Sequence, residues 1–456
     1  MAAVRSASLL SGDARRAWLA VGTVCIGAFM GQLDASIVTV ALPTLAADFH
    51  APLGAVEWVV LAYVLVLVAA IVLVGRLADR AGRRTLYLAG FAVFVVGSAA
   101  CAVAPSLGLL IAARVLQGGG AVLLQANSVA LIADVMPPDR IGAGIGVQGA
   151  AQAVGLAVGP SAGGALIALA GWRAIFLINI PAGILGIAAG LLLLPRDASH
   201  RSLPASRIDI PATAAFALAA GSAVALLSLA AVPGEPAWLF AALGLAAVTG
   251  AATAWSRQRR RPDALIENDL LRRRPFLTGG AAALLSYGTL FGLLLLVPFL
   301  VEASGGGALR AGLELTVLPV ALGLAAPFGG RLADRHGARL PAVAGMAMAA
   351  AALAALAIAP GSTPIRLVAL AVGGAGQGLF IPAMNASVMR AAPAGRTGAA
   401  AGAVNLVRSA GTALGVAAAG VALALSGPRA GFALLAAFAA SAGLIAAVRR
   451  PARSLS

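Results

Sequence analysis

The chain has 456 residues, 61% hydrophobic and only 11% charged, with a mean hydropathy of +0.97. That excludes a soluble globular domain, whose interior could not hide so much apolar surface, and repeated runs of about 20 apolar residues require membrane helices. The net charge of +16 rests on arginine alone; with no lysine anywhere, the lysine of an ATP-binding P-loop is missing, and ATP hydrolysis by this chain is not indicated.

In chain order, apolar runs predict spans at 17–42, 55–74, 86–104, 107–133, 141–169, 174–194, 211–232, 237–255, 276–301, 311–328, 341–359, 365–389, 399–425 and 430–448, fourteen in all. The first run follows Arg5, Arg15 and Arg16; it is too long for a signal-peptide core and carries Asp34, so it reads as a retained span. With the N-terminus inside, 26 arginines fall in inner segments and 4 in outer ones (Arg173, Arg310, Arg366 and Arg429), while Arg114 and Arg408 lie within spans. This asymmetry puts both termini in the cytoplasm and accounts for the positive charge without a nucleic-acid partner. Cys25 and Cys101 sit in apolar runs and read as packing residues. His50, His200 and His336 have no second ligand at useful spacing, so no metal site is expected, and no cofactor.

Two charged segments nearly repeat: Gly75-Arg-Leu-Ala-Asp-Arg-Ala-Gly-Arg-Arg84 and Gly330-Arg-Leu-Ala-Asp-Arg-His-Gly-Ala-Arg339, 255 positions apart. Arg140, Gly142, Gly146, Gly155 and Gly159 align with Arg396, Gly398, Gly402, Gly411 and Gly415 at an offset of 256. One offset serving two motifs pairs spans 1–6 with spans 9–14 as a parallel duplication about an axis along the membrane normal. The expected organisation is a six-helix bundle over 1–195, two inserted linker helices and a basic loop over 196–275, and a second six-helix bundle over 276–456.

Asp34 is an acid deep in span 1. Such a group is costly in lipid, about 2.5–3.5 kcal/mol on insertion scales, so it must face protein or water. Gly27, Gly31 and Asp34 share one helical face, which makes Asp34 a candidate for reversible protonation or substrate binding; a structural, paired acid is the alternative. On span 4, Arg114, Gln117, Ala121, Gln125 and Ser128 form a polar stripe suited to a cavity wall. Arg114 is expected to influence Asp34 across the first bundle, or else to anchor backbone carbonyls. Span 5 carries Gln148, Gln152, Gly155 and Gly159 on one face, with Pro160 next; this reads as a pliable contact between halves or as ordinary glycine packing. Arg408 on span 13, near Asn405 and Thr412, is the repeat counterpart of Gln152, and its face lines the cavity or is structural. Glu57 and Glu314 are expected at the outer mouth. In the charged loops, Gly75, Asp79, Arg80, Gly82 and Arg83 read as a cytoplasmic latch or as orientation charge alone, with Gly82 permitting a tight turn; the second copy keeps Asp334 but has Ala338 in place of Arg83.

Several stretches carry a family resemblance. They are Leu33-Asp-Ala-Ser-Ile-Val-Thr-Val-Ala-Leu-Pro43 in span 1, Gly75–Arg84 after span 2, Arg114-Val-Leu-Gln-Gly-Gly-Gly120 in span 4, Gly155-Leu-Ala-Val-Gly-Pro-Ser-Ala-Gly-Gly164 in span 5, and Trp172-Arg-Ala-Ile-Phe-Leu-Ile-Asn-Ile-Pro-Ala-Gly183. In this order the chain resembles the major facilitator superfamily, and within it the fourteen-span drug:proton antiporters. The resemblance implies an all-α polytopic fold of two six-helix bundles plus two inserted helices. It also implies proton coupling at Arg114, Asp134 as a partner for Arg83, and an antiporter motif at Gly155, Gly159, Pro160, Gly163 and Gly164. The function expected is proton-coupled export of small amphipathic compounds, drugs or antibiotics, across a bacterial inner membrane by a monomer in contact with lipid. Export or symport of one metabolite is the alternative; a membrane sensor or membrane-embedded enzyme is further off, since no catalytic constellation is present.

Overall fold

The structure is a computed structural model that describes residues 2–137, 140–196, 209–230, 235–260, 273–390 and 397–448. Within them, span 1 is Ala2–Asp48; span 2 is two pieces, Leu53–Val56 and Trp58–Ala81; and spans 3, 4 and 5 are Arg83–Ala102, Leu107–Val135 and Ile141–Ala170. Span 6 is again two pieces, Ala174–Leu177 and Asn179–Leu193. Spans 7 and 8 are Ile210–Leu229 and Ala237–Arg260; spans 9 to 12 are Arg274–Ala303, Ala308–His336, Arg339–Ile358 and Thr363–Arg390. One helix, Thr397–Val448, holds both remaining spans; Gly427, at φ +78°, and Pro428 divide it into span 13 and span 14. Thirteen described helices are long and apolar enough to cross a bilayer, and that division makes fourteen spans.

The charged repeats are not loops. Span 2 stays helical through Ala81, and Gly82, at φ +95°, is the only break before span 3 begins at Arg83. In the second copy the helix runs to His336 and turns at Gly337, at φ +79°. A positive φ strains any residue with a Cβ, so glycine can reverse the chain there in a single step and the charged residues remain on helix ends. The side chain of Asp79 lies outside the described residues, as do the basic segments 197–208 and 261–272.

Helix packing follows the duplication. Span 1 lies on span 5 as span 9 lies on span 13; span 3 on span 4 as span 11 on span 12; span 2 on span 4 as span 10 on span 12. Between the two sets run two seams, span 5 against span 10 and span 2 against span 13. The inserted spans 7 and 8 pair as a hairpin, and span 7 rests on spans 2 and 13, over the second seam.

Helix contacts are close because glycine removes the side chain where backbones meet. On span 5, Gly155 faces the Phe29 carbonyl of span 1 and Gly163 faces Ile37, while Gly164 lies on the Ala308 carbonyl of span 10. The span-5 glycine motif therefore serves two neighbours, one in its own bundle and one across the seam.

Candidate functional site

Asp34, Arg114 and Gln117 are fully buried in the first bundle. Arg114 Nη1 donates to Asp34 Oδ2 at 2.6 Å and to Gln117 Oε1 at 2.5 Å, and its Nε donates to the Val59 carbonyl at 2.7 Å. Gln117 Nε2 donates to Asp34 Oδ1 at 2.8 Å and to Ser98 Oγ at 2.8 Å, and Asn179 Nδ2 donates to Asp34 Oδ1 at 3.1 Å. Spans 1, 2, 3, 4 and 6 thus each contribute to one network. The Arg114 guanidinium also lies over the Tyr63 ring, 4.3 Å from its centroid, and 5.8 Å from that of Phe176. Ring faces are negative, so both aromatics stabilise the buried cation.

The site is fully enclosed. Removing two charges from water costs several kcal/mol per ion, and here mutual attraction, amide donors and aromatic faces offset that cost. Removing either charge would leave the other buried without its partner. Arg114 both pairs with Asp34 and anchors the Val59 carbonyl.

Toward the cytoplasmic end the polar lining continues. Gly27, Gly31, Gln125, Ser128, Gln148 and Gln152 surround a cavity of about 10 Å³, room for about one water. Gln148 Nε2 donates to Ser128 Oγ at 2.8 Å, while the buried Gln125 Oε1 has no hydrogen-bond partner among the described residues. From the second half, Arg408 Nη1 reaches Gln152 Oε1 at 3.4 Å. Asn405 is half-buried one turn before it.

At the inner ends, Arg83 Nη1 lies 2.8 Å from Asp134 Oδ1 and 3.0 Å from Oδ2, with both side chains partly exposed. Arg84 Nη2 donates to the Leu191 carbonyl at 2.8 Å, which ties span 3 to span 6. Arg80 and Asp334 are exposed, on the last turns of spans 2 and 10, and Gly75 lies half-buried within span 2.

The two glutamates expected at an outer mouth are both inside the protein. Glu314 accepts from Arg366 Nε at 2.5 Å and from Arg310 Nε at 2.9 Å. Arg366, counted among the outer loop charges, is fully buried in the first turn of span 12. Glu57 is fully buried at the break between the two pieces of span 2. Hydropathy cannot separate a mouth carboxylate from one sealed between helices, because both sit near the end of an apolar run.

Sequence reasoning missed Ser98, Asn179 and Tyr63. Each is a lone polar residue or tyrosine inside an apolar run, too slight a signal to single it out.

In the second half, carrying the 255–256 offset across puts Thr289, Leu318, Leu353 and Gly373 opposite Asp34, Tyr63, Ser98 and Gln117. Those four residues line a single small cavity of about 10 Å³. The duplication thus keeps the site's place in the fold and leaves it without charge, with Thr289 in the place of Asp34 and Leu370 in the place of Arg114.

A profile described as Major Facilitator Superfamily matches residues 24–265 and 279–455. The riboflavin transporter RibZ of Clostridioides difficile is 32% identical over 409 residues, 88% of this chain and 87% of that protein. The multidrug resistance protein Stp of Mycobacterium tuberculosis is 33% identical over 403 residues, 88% and 74% respectively. The methylenomycin A resistance protein of Streptomyces coelicolor is 31% identical over 406 residues, 87% and 84%. Among solved structures, the human organic anion transporter MFSD10 shares the fold, with a TM-score of 0.64 at 17% identity over 94% of this chain and 99% of that one. With the profile matching both halves and the fold shared end to end, the chain belongs to the Major Facilitator Superfamily and is a multi-pass membrane transporter, not an enzyme.

Proposed function

We propose that the protein is a proton-coupled antiporter that exports small amphipathic compounds across a bacterial cytoplasmic membrane by alternating access between bundles 1–195 and 276–456. The observation that carries this reading is the buried Asp34–Arg114 ion pair, with Gln125, Gln148 and Gln152 around a small void on its cytoplasmic side. A proton arriving at Asp34 releases Arg114, and the cost of a lone buried cation drives the bundle to reopen its network. Gln125, Gln148, Gln152, Asn405 and Arg408 line the substrate route, and the span-5 glycine contact with span 10 is where the halves rock. The Arg83–Asp134 pair, with Asp79 and Arg80 on the same segment, latches the cytoplasmic side. The resistance proteins among the relatives support export of antibiotic-like compounds.

A second reading is transport of one metabolite, which the riboflavin transporter among the relatives favours. One experiment separates the two: proton-gradient-driven flux in inverted vesicles, run against a panel of cationic dyes, neutral antibiotics and a flavin. Acceptance of several unrelated compounds, lost in Asp34→Asn, supports multidrug antiport. Saturable flux of a single compound supports the metabolite reading, and gradient-driven flux unchanged in Asp34→Asn and Arg114→Ala overturns the proton role of the pair.

A further inference from the structure

Glu57 stands apart from this machinery. Its side chain is fully buried, and neither carboxylate oxygen has a hydrogen-bond partner among the described residues. It belongs to span 2, but Oε2 lies directly against the backbone of Gly420 on span 13, where a Cβ would collide with it. The hydroxyl of Ser228, at the outer end of span 7, is a further polar neighbour and is itself fully buried. Three parts of the protein therefore meet at one carboxyl group: the first bundle, the second bundle and the inserted hairpin.

The duplication shows what this position would otherwise hold. At the same offsets, Glu57 corresponds to Gly312 and Gly420 to Gly164. Gly312 and Gly164 touch each other across the other seam: a Cβ built on Gly312 would lie 3.1 Å from the Gly164 Cα. One outer seam is thus closed by two glycines, and its mate by a glycine on a carboxyl group. The hairpin lies over the seam that holds the acid, with span 7 packed against span 2.

No charge on the adjoining helices compensates Glu57. Span 13 carries no titratable side chain between Arg408 and Arg429, and span 7 has none after Asp209 at its inner end. On span 2 the next titratable group is Tyr63, whose ring lies against Arg114. Span 1 contributes Asp48, which accepts from Trp172 at 2.8 Å, and exposed His50 follows it. An ionised carboxylate in such a site has no counter-charge and only the Ser228 hydroxyl nearby as a donor, and its desolvation would oppose closure; a neutral carboxyl group fits.

We propose that Glu57 is a proton-binding site built into the outer seam between the two bundles, filled from the outer solution. When the seam opens, Glu57 meets outer water and gives up its proton; closure of the seam requires that a proton be bound again. The device is a proton-dependent outer gate, and the hairpin lies over it. It stands whether or not Asp34 carries the transported proton, since it concerns a different group on a different contact.

The test uses full-length protein in lipid nanodiscs. Infrared difference spectra across a pH step should show the C=O stretch of a protonated carboxyl group, retained in Asp34→Asn and lost in Glu57→Gln. Spin labels at Val103→Cys and Leu425→Cys, in a background with Cys25 and Cys101 replaced by alanine, report the outer ends of the two bundles. The distance should widen as pH rises in the parent and stay closed at every pH in Glu57→Gln. Should the glutamine variant fold poorly, Glu57→Gly reproduces the contact of the other seam and should also stay closed. A carboxyl band that persists without Glu57, or a variant seam that follows pH as the parent does, overturns the proposal.

Discussion

Arg408 Nη1 on span 13 donates to Gln152 Oε1 on span 5 at 3.4 Å, and the two residues are each other's counterparts in the duplication, 256 positions apart. A residue that touches its own counterpart lies on the pseudo-symmetry axis, which here runs through the space between the bundles. The pair breaks the symmetry in charge, because one member is a cation and the other a neutral amide. Replacement by Arg408→Gln should leave a symmetric pair of amides and remove a positive charge from the route. Transport of cationic compounds should rise relative to neutral ones by about tenfold, equivalent to about 1.4 kcal/mol, a modest fraction of what a nearby charge exerts at an effective dielectric constant near 20. Competition flux with matched cationic and neutral substrates checks it.

Asp34 and Arg114 should separate stability from function. Asp34→Asn leaves Arg114 buried and unpaired, which costs about 3–5 kcal/mol when one partner of a buried pair is removed. The double variant Asp34→Asn with Arg114→Met removes both charges, and its thermal stability should return toward that of the parent. Gradient-driven transport should stay lost in both. Thermal unfolding of purified protein, run alongside vesicle flux, gives both readouts; recovery of transport in the double variant would contradict the coupling role.

The pair Arg83–Asp134 is partly exposed, so its static contribution is small, about 0.2–1 kcal/mol. An energy of that size does not decide the fold but can bias two nearly equal states several-fold. Arg83→Asp or Asp134→Arg alone should lower transport several-fold with little change in thermal stability. Combining them restores an ion pair with reversed polarity and should recover most of the rate. The second copy of the motif, with Ala338 in that place, has no arginine to form the same bridge.

Span positions and the polar stripe were legible because both follow from periodicity and hydropathy along one chain. Asp34, Arg114 and Gln117 could be read as residues too polar for lipid, and the structure brings them within hydrogen-bonding distance. Ser98 and Asn179 were not legible, because a single small polar group in an apolar run is cheap enough to occur without purpose. The end of span 2 was misjudged as a loop because arginine and aspartate depress hydropathy without breaking a helix; only Gly82 does that. The burial of Glu57 and Glu314 depends on which helix lies opposite, and nothing in the local sequence records that.

Gly164 tests the seam from the other side. A Cβ there would collide with the Ala308 carbonyl of span 10, across the contact that closes the outer ends. Overpacking of this kind costs about 1–3 kcal/mol. Because the contact exists only while the seam is closed, Gly164→Ala should shift the protein toward its outward-open state. Labels on the outer ends of spans 5 and 10 should report a longer mean distance, and transport should slow because return to the closed form becomes the costly step.

Thr289 offers the complementary control. It occupies the place in the second bundle that Asp34 occupies in the first, yet its hydroxyl only donates back to the Leu285 carbonyl at 2.9 Å. Its surroundings are the lining of the small cavity with Leu318, Leu353 and Gly373, apolar apart from Gln377. If proton coupling belongs to the first bundle alone, the second site needs only volume. Thr289→Val keeps the shape and removes the hydroxyl, so the stability change should stay within about 1 kcal/mol, the net worth of one hydrogen bond. Gradient-driven flux should remain near the parent rate and keep its pH dependence. A large loss of flux in this variant, with folding intact, would mean that the second bundle also carries part of the coupling, and the division of labour between the halves would have to be redrawn.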